Sequence, residues 1–203
     1  MKNAKFDSRI LILNDKYLLF GDIAEIPPGK EIELDLGCGS GDMALGIAER
    51  HPERITLAAD IMLGRLRKVV RRASARDLLP RMRFLRVEAR HLCSILLPDS
   101  SICRIHILCP DPWPKHRHKG HRLMSSDFMA QLHRILIPGG ILHFSTDDLP
   151  YWTSTLQNIR SSGLFCEESL SVINDIADLK TEFERQWLAR GKAVLHAVFR
   201  KRA

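Results

Sequence analysis

Five short apolar runs alternate with stretches of helical spacing, and this alternation constrains the chain more than any other feature. The runs occupy residues 31–36, 55–59, 82–87, 102–108 and 141–145, and the helical stretches residues 42–50, 63–78, 91–97, 126–136 and 150–161. Pro52, Pro80 and the Pro138-Gly139-Gly140 triplet punctuate them. Strand and helix in strict alternation call for parallel strands with helices on both faces. Right-handed crossovers then leave few topologies. The pattern changes near the end, where two strands, 165–171 and 193–200, flank a loop expected at residues 174–190.

The 203 residues suit one compact domain. Residues 1–30 read as an N-terminal arm and residues 31–203 as the domain itself. Hydrophobic residues make up 45% and charged residues 27%, with no apolar run of the roughly 20 residues that a bilayer crossing needs. The patch Ile10, Leu11, Ile12, Leu13 is broken by Asn14, Asp15 and Lys16, which is unlike a signal peptide. A cytoplasmic protein is expected, with no membrane partner. The five cysteines show no C-x-x-C pair or zinc-like spacing, so no metal is expected. Cys103 and Cys109 lie in an apolar stretch and read as buried thiols.

The formal net charge is +7, and its distribution is uneven. Ten arginines and lysines crowd residues 65–90, a second cluster spans residues 115–122, and Arg200, Lys201 and Arg202 close the chain. One cluster alone suits a solvated helix face. Several together favour a polyanionic partner such as a nucleic acid.

Leu34-Asp35-Leu36-Gly37-Cys38-Gly39-Ser40-Gly41-Asp42 follows the first strand and opens the first helix. Small residues there let the backbone turn tightly and approach a ligand. The spacing is G-x-G-x-G, not the G-x-G-x-x-G of dinucleotide binders. The loop resembles that of class I S-adenosylmethionine-dependent methyltransferases, although a nicotinamide dehydrogenase stays open on this loop alone. Asp35, Asp60, Glu88 and Asp111 each fall at or just past the end of an expected strand, where ligands bind in such sheets. A cationic sulfonium cofactor with ribose and adenine donors gives four converging carboxylates a purpose.

Cys109-Pro110-Asp111-Pro112-Trp113-Pro114-Lys115-His116-Arg117-His118 is the most unusual stretch. Three prolines stiffen a loop directly after a buried strand. They fix Asp111 and present Trp113 and Lys115, and the basic tail suits a surface facing phosphates. Here the chain resembles the bacterial single-subunit tRNA (guanine-N7-)-methyltransferase family. The likeness also rests on Thr146-Asp147-Asp148-Leu149-Pro150-Tyr151 and on Thr181-Glu182-Phe183-Glu184.

The resemblance implies an α/β fold of the Rossmann-like class I type, a mostly parallel seven-stranded sheet with an antiparallel C-terminal strand. It implies methylation of a guanosine in the tRNA variable loop by S-adenosylmethionine. Cofactor binding then falls on Asp35, Gly37, Gly39, Gly41, Asp60, Glu88 and Asp111, with Asp111 also the catalytic residue. Substrate contacts fall on Lys115, Asp147, Thr181, Glu182, Phe183 and Glu184. RNA contacts fall on Arg117, His118, Lys119, Gly120, His121 and Arg122, and Arg65 and Arg72 are further candidates. Glu182 stands where the family carries lysine, and Gly120 and His121 where it is more basic. The alternatives are a methyltransferase of another RNA base or a protein, and a non-catalytic RNA-binding protein on the same fold. A monomer or a homodimer fits equally.

Overall fold

The computed structural model describes residues 7–12, 26–113 and 116–202. An eight-stranded sheet runs through the molecule in the order β1-β4-β3-β2-β5-β6-β8-β7. Its strands are β1 (Ile10–Ile12), β2 (Ile32–Leu36), β3 (Ile55–Asp60), β4 (Met82–Arg86), β5 (Ile102–Leu108), β6 (Leu136–Thr146), β7 (Phe165–Glu168) and β8 (Leu195–Lys201). The first six pair in parallel, and β8 runs antiparallel between β6 and β7. The Rossmann-like class I expectation holds, with one strand more than the seven expected. The addition is β1, formed by the apolar patch of the N-terminal segment, which pairs Ile10 with Phe84 on the outer edge.

Helices α1 (Asp42–Arg50) and α2 (Leu63–Ser74) cover one face. Ala44, Leu45 and Ala48 of α1 pack with Leu66, Val69 and Val70 of α2 over Ala58 and Phe84. The other face is covered by the turn α3 (Ala89–His91) with the wide π turn Leu92–Leu96, by α4 (Ser126–Ile135) and by α5 (Leu149–Ser162). Phe128, Leu132, Tyr151 and Ile159 meet Leu34, Ile105, Ile107 and Phe144 there. Strand side chains alternate between faces. The apolar side of β2 and β5 therefore leaves Glu33, Asp35, Arg104 and His106 on the opposite side, all of them buried.

Several boundaries differ from the sequence expectation, for local reasons. The Pro138-Gly139-Gly140 triplet does not separate helix from strand. It lies inside β6 as an irregularity, and the β5–β6 register jumps from Ile102↔Leu136 to Arg104↔Ile141 across it. Helix α2 ends at Ser74, short of the expected residue 78, and Asp77 turns with φ 56°. The expected loop at 174–190 holds the end of a 3-10 helix, Leu170–Ile176, and the helix α6 (Glu182–Leu188). Thr181 caps α6, its Oγ1 accepting from the Glu184 amide at 3.1 Å. Thr181-x-x-Glu184 is the spacing of a capping box, a start signal the sequence carries openly. Cys103 and Cys109 are half-buried, less enclosed than their apolar neighbours suggested. No described helix is long and apolar enough to cross a membrane.

Candidate functional site

The chain leaves β2 at Leu36 and folds back over the end of β3. Gly37 and Cys38 both donate to the Ala59 carbonyl, at 2.8 and 2.9 Å. Gly39 donates to Asp60 Oδ2 at 3.0 Å, and Met62 to Asp60 Oδ1 at 2.7 Å. Asp60 thus ties the glycine loop to the start of α2. Gly41 closes the loop at φ 78°, a left-handed conformation that L side chains resist. A Cβ there would lie 2.5 Å from Val69 Cγ1, so glycine is required by space as well.

Asp35 lies beneath the loop and accepts from the Ala44 amide at 3.1 Å, in the first turn of α1. Burial pushes its carboxyl up to about 7; the Ala44 amide opposes this, and the neighbouring Asp60, Glu33 and Asp42 add to it. A cation placed beside it would reverse that shift. Asp42 is spoken for by Ser40 Oγ at 2.6 Å, Arg72 at 2.6 Å and Arg185 at 3.0 Å.

Two clefts open at the carboxyl ends of β2, β3 and β5. One, of about 290 Å3, has apolar walls from Ile61, Val87 and Leu123, with Asp60 and Glu88 on its border. The other, of about 400 Å3, runs along Asp35, Gly37, Cys38, Gly39 and Ser40 towards Thr181, Glu182 and Phe183. They share Gly37, Arg65, Leu108, Cys109 and Asp111. A slot with apolar walls and a carboxylate border suits a purine nucleoside. A neighbouring groove over a buried carboxyl poised near neutrality suits a cationic amino-acid chain. The residues present therefore fit S-adenosylmethionine, which joins those two parts.

The rim is built differently. Trp113 adopts φ 44°, sets its ring against His121 at 5.0 Å and lines the apolar cleft. Arg122 Nε donates to the Pro112 carbonyl at 2.8 Å and Nη1 to Ser154 Oγ at 3.1 Å, with its guanidinium 4.9 Å over the Tyr151 ring. Arg90 braces the same turn through the carbonyls of Arg122 and Leu123. Asp147 accepts from Trp187 Nε1 at 2.6 Å.

The structure gathers Asp35, Gly37, Gly39, Asp60, Glu88, Asp111, Thr181, Glu182 and Phe183 around the joined clefts. Gly41 shapes the loop from below. Asp147 and Glu184 do not border the clefts: the first holds Trp187, and the second is buried against Lys180 and His196. Lys115 lies outside the described residues, as do the side chains of His118 and Lys119. Arg117, Gly120 and His121 are exposed. The two arginines named as further RNA candidates have partners at the glycine loop. Arg65 borders both clefts, 3.6 Å from Asp60, and Arg72 holds the Ser40 carbonyl and Asp42. The sequence reading missed the cleft roles of Arg65, Leu123 and Gln186. For Arg65 a signal existed: it lies five residues after Asp60, in the first turn of α2.

A family described as "Putative methyltransferase" matches residues 30–197. Curated relatives named tRNA (guanine-N(7)-)-methyltransferase include that of Thermotoga maritima, 32% identical over 84% of this chain and 54% of that protein. That of Rubrobacter xylanophilus is 30% identical over 87% of this chain and 76% of its own length. That of Syntrophotalea carbinolica is 34% identical over 83% and 73%. The chain thus spans about half the length of the first of these relatives and about three quarters of the other two. Among solved structures, the aminoglycoside resistance methyltransferase NpmB1 superposes with TM-score 0.62 at 19% identity, over 91% of this chain and 95% of that one. The 16S rRNA methyltransferase KamB gives 0.61 at 17%, over 86% and 89%. These two likenesses concern the fold.

Proposed function

The chain belongs to the tRNA (guanine-N(7)-)-methyltransferase family, and from that premise we propose that it methylates N7 of a guanosine in the tRNA variable loop. One observation supports the reading: Asp111 borders both clefts.

S-adenosylmethionine supplies a methyl group on a positively charged sulfur. Asp60 and Glu88 stand where ribose hydroxyls and the purine edge would donate. Asp35, beneath the glycine loop, takes the cationic amino-acid end, and Arg65 closes the groove between them. Guanine N7 carries a lone pair and no proton, so no general base is needed. The residues' task is to hold base and methyl donor in line, which can supply several kcal/mol. Positive charge moves onto the guanine ring as the methyl arrives, and the Asp111 carboxylate stabilises it there. Thr181, Glu182 and Phe183 form the far wall of the groove. The exposed Arg117 supplies a positive charge for the phosphates of the tRNA.

The test is transfer of labelled methyl from S-adenosylmethionine to unmodified tRNA, followed by chemical cleavage at 7-methylguanosine. Cleavage within the variable loop is the expected result. Label on another base, or tight tRNA binding without transfer, overturns the reading.

A further inference from the structure

Four strands place a row of polar side chains across the buried centre of the sheet. Glu33 Oε1 lies 2.8 Å from His106 Nε2. His106 Nδ1 lies 3.0 Å from His143 Nδ1, and His143 Nε2 lies 3.0 Å from His196 Nδ1. His196 Nε2 lies 3.2 Å from Glu184 Oε1. A carboxylate on β2 is thereby joined to one on α6 through three imidazoles.

The protons in this row can be counted without assigning any tautomer. Four contacts each need one hydrogen. Three neutral imidazoles bring three N–H groups, and an ionised carboxylate brings none. Burial opposes ionisation at both ends, but His106 and Arg104 hold the Glu33 carboxyl below the ordinary range, and His196 and Lys180, the latter 3.0 Å away, lower that of Glu184. The row is complete only with one further proton.

We propose that His106, His143 and His196 share a single proton, and that this proton positions Glu184, and with it helix α6, against the cofactor cleft. That the cleft holds S-adenosylmethionine rests on the function proposed above; the proton count does not.

Other charged groups surround the row. Arg104 and Asp175 face His106, Arg104 and Lys180 face His143, and Lys180 and Glu184 face His196. The half-buried Cys109 thiol, pushed up to about 12 by burial, stays neutral beside Glu184. Burial holds His106 and His143 below the ordinary imidazole range, and His196 is the least enclosed of the three rings. When the shared proton leaves as pH rises, Glu33 keeps Arg54 and Arg104. One of the four contacts is then left without a hydrogen, and the row that ties Glu184 to the sheet is interrupted. Helix α6 then relies on Lys180, on Arg185 with Asp42, and on Trp187 with Asp147. Thr181, Glu182 and Phe183, which border the cleft, lose part of their support.

The experiment reads the side-chain nitrogens of the histidines by NMR on the full chain, alongside the affinity for S-adenosylmethionine, from pH 6 to 9. One imidazolium among the three is expected at the acidic end. Its loss should weaken cofactor binding on the order of tenfold, the effect of one charge-assisted hydrogen bond. KM for S-adenosylmethionine should rise in step while kcat holds. In Glu184→Gln the amide supplies the missing hydrogen. In His143→Leu the row splits into two pairs that neutral histidines satisfy. Both variants should carry no imidazolium at pH 7 and lose the alkaline weakening. Three neutral imidazoles in the parent at pH 6, two charged ones, or variants that keep its titration overturn the proposal. A correct proton count in a protein that transfers no methyl would instead fault only the functional reading.

Discussion

The inner wall of the site and its rim solve different problems with the same residue type. Asp35 and Asp60 are buried, and backbone amides of Ala44, Gly39 and Met62 occupy their carboxylates. Glu88, Asp111 and Asp147 stand exposed on loops beyond the strands. The fold therefore builds the inner wall as part of its own hydrogen bonding, and folding and cofactor binding share residues there. At the rim Glu88 and Asp147 hold only local contacts, with the His91 amide and Trp187 Nε1, so binding and chemistry at Asp111 can be changed with less effect on stability.

The contrast breaks most visibly at Gly41. Gly41→Val combines a left-handed φ with a Cβ driven into Val69. The backbone penalty is about 1–2 kcal/mol and the overpacking about 1–3 kcal/mol. A denaturant midpoint well below that of the parent is expected, together with loss of detectable S-adenosylmethionine binding. A folded variant of parental affinity would show that the loop is not part of the frame.

Asp35 gives the next largest effect. Its folded-state carboxyl titrates at about 7, above the ordinary value of an unfolded aspartate, so between those values the native state holds a proton that the unfolded state lacks. Stability therefore falls as pH rises from about 4 to about 7, by a few kcal/mol, and is level above that. Asp35→Asn should flatten this slope in urea titrations. Cofactor binding should release a proton near pH 7, because a cation favours the ionised carboxyl. Calorimetry in buffers of different ionisation enthalpy reads that proton directly. The same linkage tightens binding as pH rises towards 7, opposite in sign to the histidine row.

The inner wall was legible in the sequence because its determinants are local. Gly37, Gly39 and Gly41 announce the turn, and Asp60 ends an apolar run that can only be a strand. The Leu34-Asp35-Leu36 alternation shows that Asp35 lies on the face opposite the main apolar core. The rim was less legible, since its contacts join residues far apart. Nothing in the basic run to Arg122 reveals that Ser154 and Tyr151 of α5 receive its guanidinium. The histidine row was invisible for the same reason, since His106, His143 and His196 come from three strands brought abreast by the β5–β6–β8 order. Helix α6 and β1 are different cases. Thr181-x-x-Glu184 was a readable capping signal, and β1 is three residues whose pairing depends wholly on the β4 edge.

At the rim, charge can be removed with the frame left intact. Asp111→Asn keeps shape and removes charge at an exposed position, so the melting temperature should not move. The expected loss is 10- to 100-fold in kcat, about 1.4–2.7 kcal/mol of transition-state stabilisation, with little change in affinity for S-adenosylmethionine or tRNA. Undiminished turnover would remove Asp111 from the chemistry and leave it a cleft border.

The smallest effect separates two roles for one residue. A basic run facing RNA makes Arg122 a phosphate ligand, whereas its position over Tyr151, bonded to Pro112 and Ser154, makes it a brace for the Asp111 loop. Arg122→Ala should destabilise the fold by about 1–2 kcal/mol in the second case. The salt dependence of tRNA binding decides between them, because removing one arginine–phosphate ion pair lowers the slope of log K against log salt by about one. A brace leaves that slope unchanged and raises KM for tRNA a few-fold, since the loop is held less firmly while every phosphate keeps its cation. A slope lowered by about one with parental stability would return Arg122 to the RNA surface. It would also move the boundary between frame and rim outward by one turn.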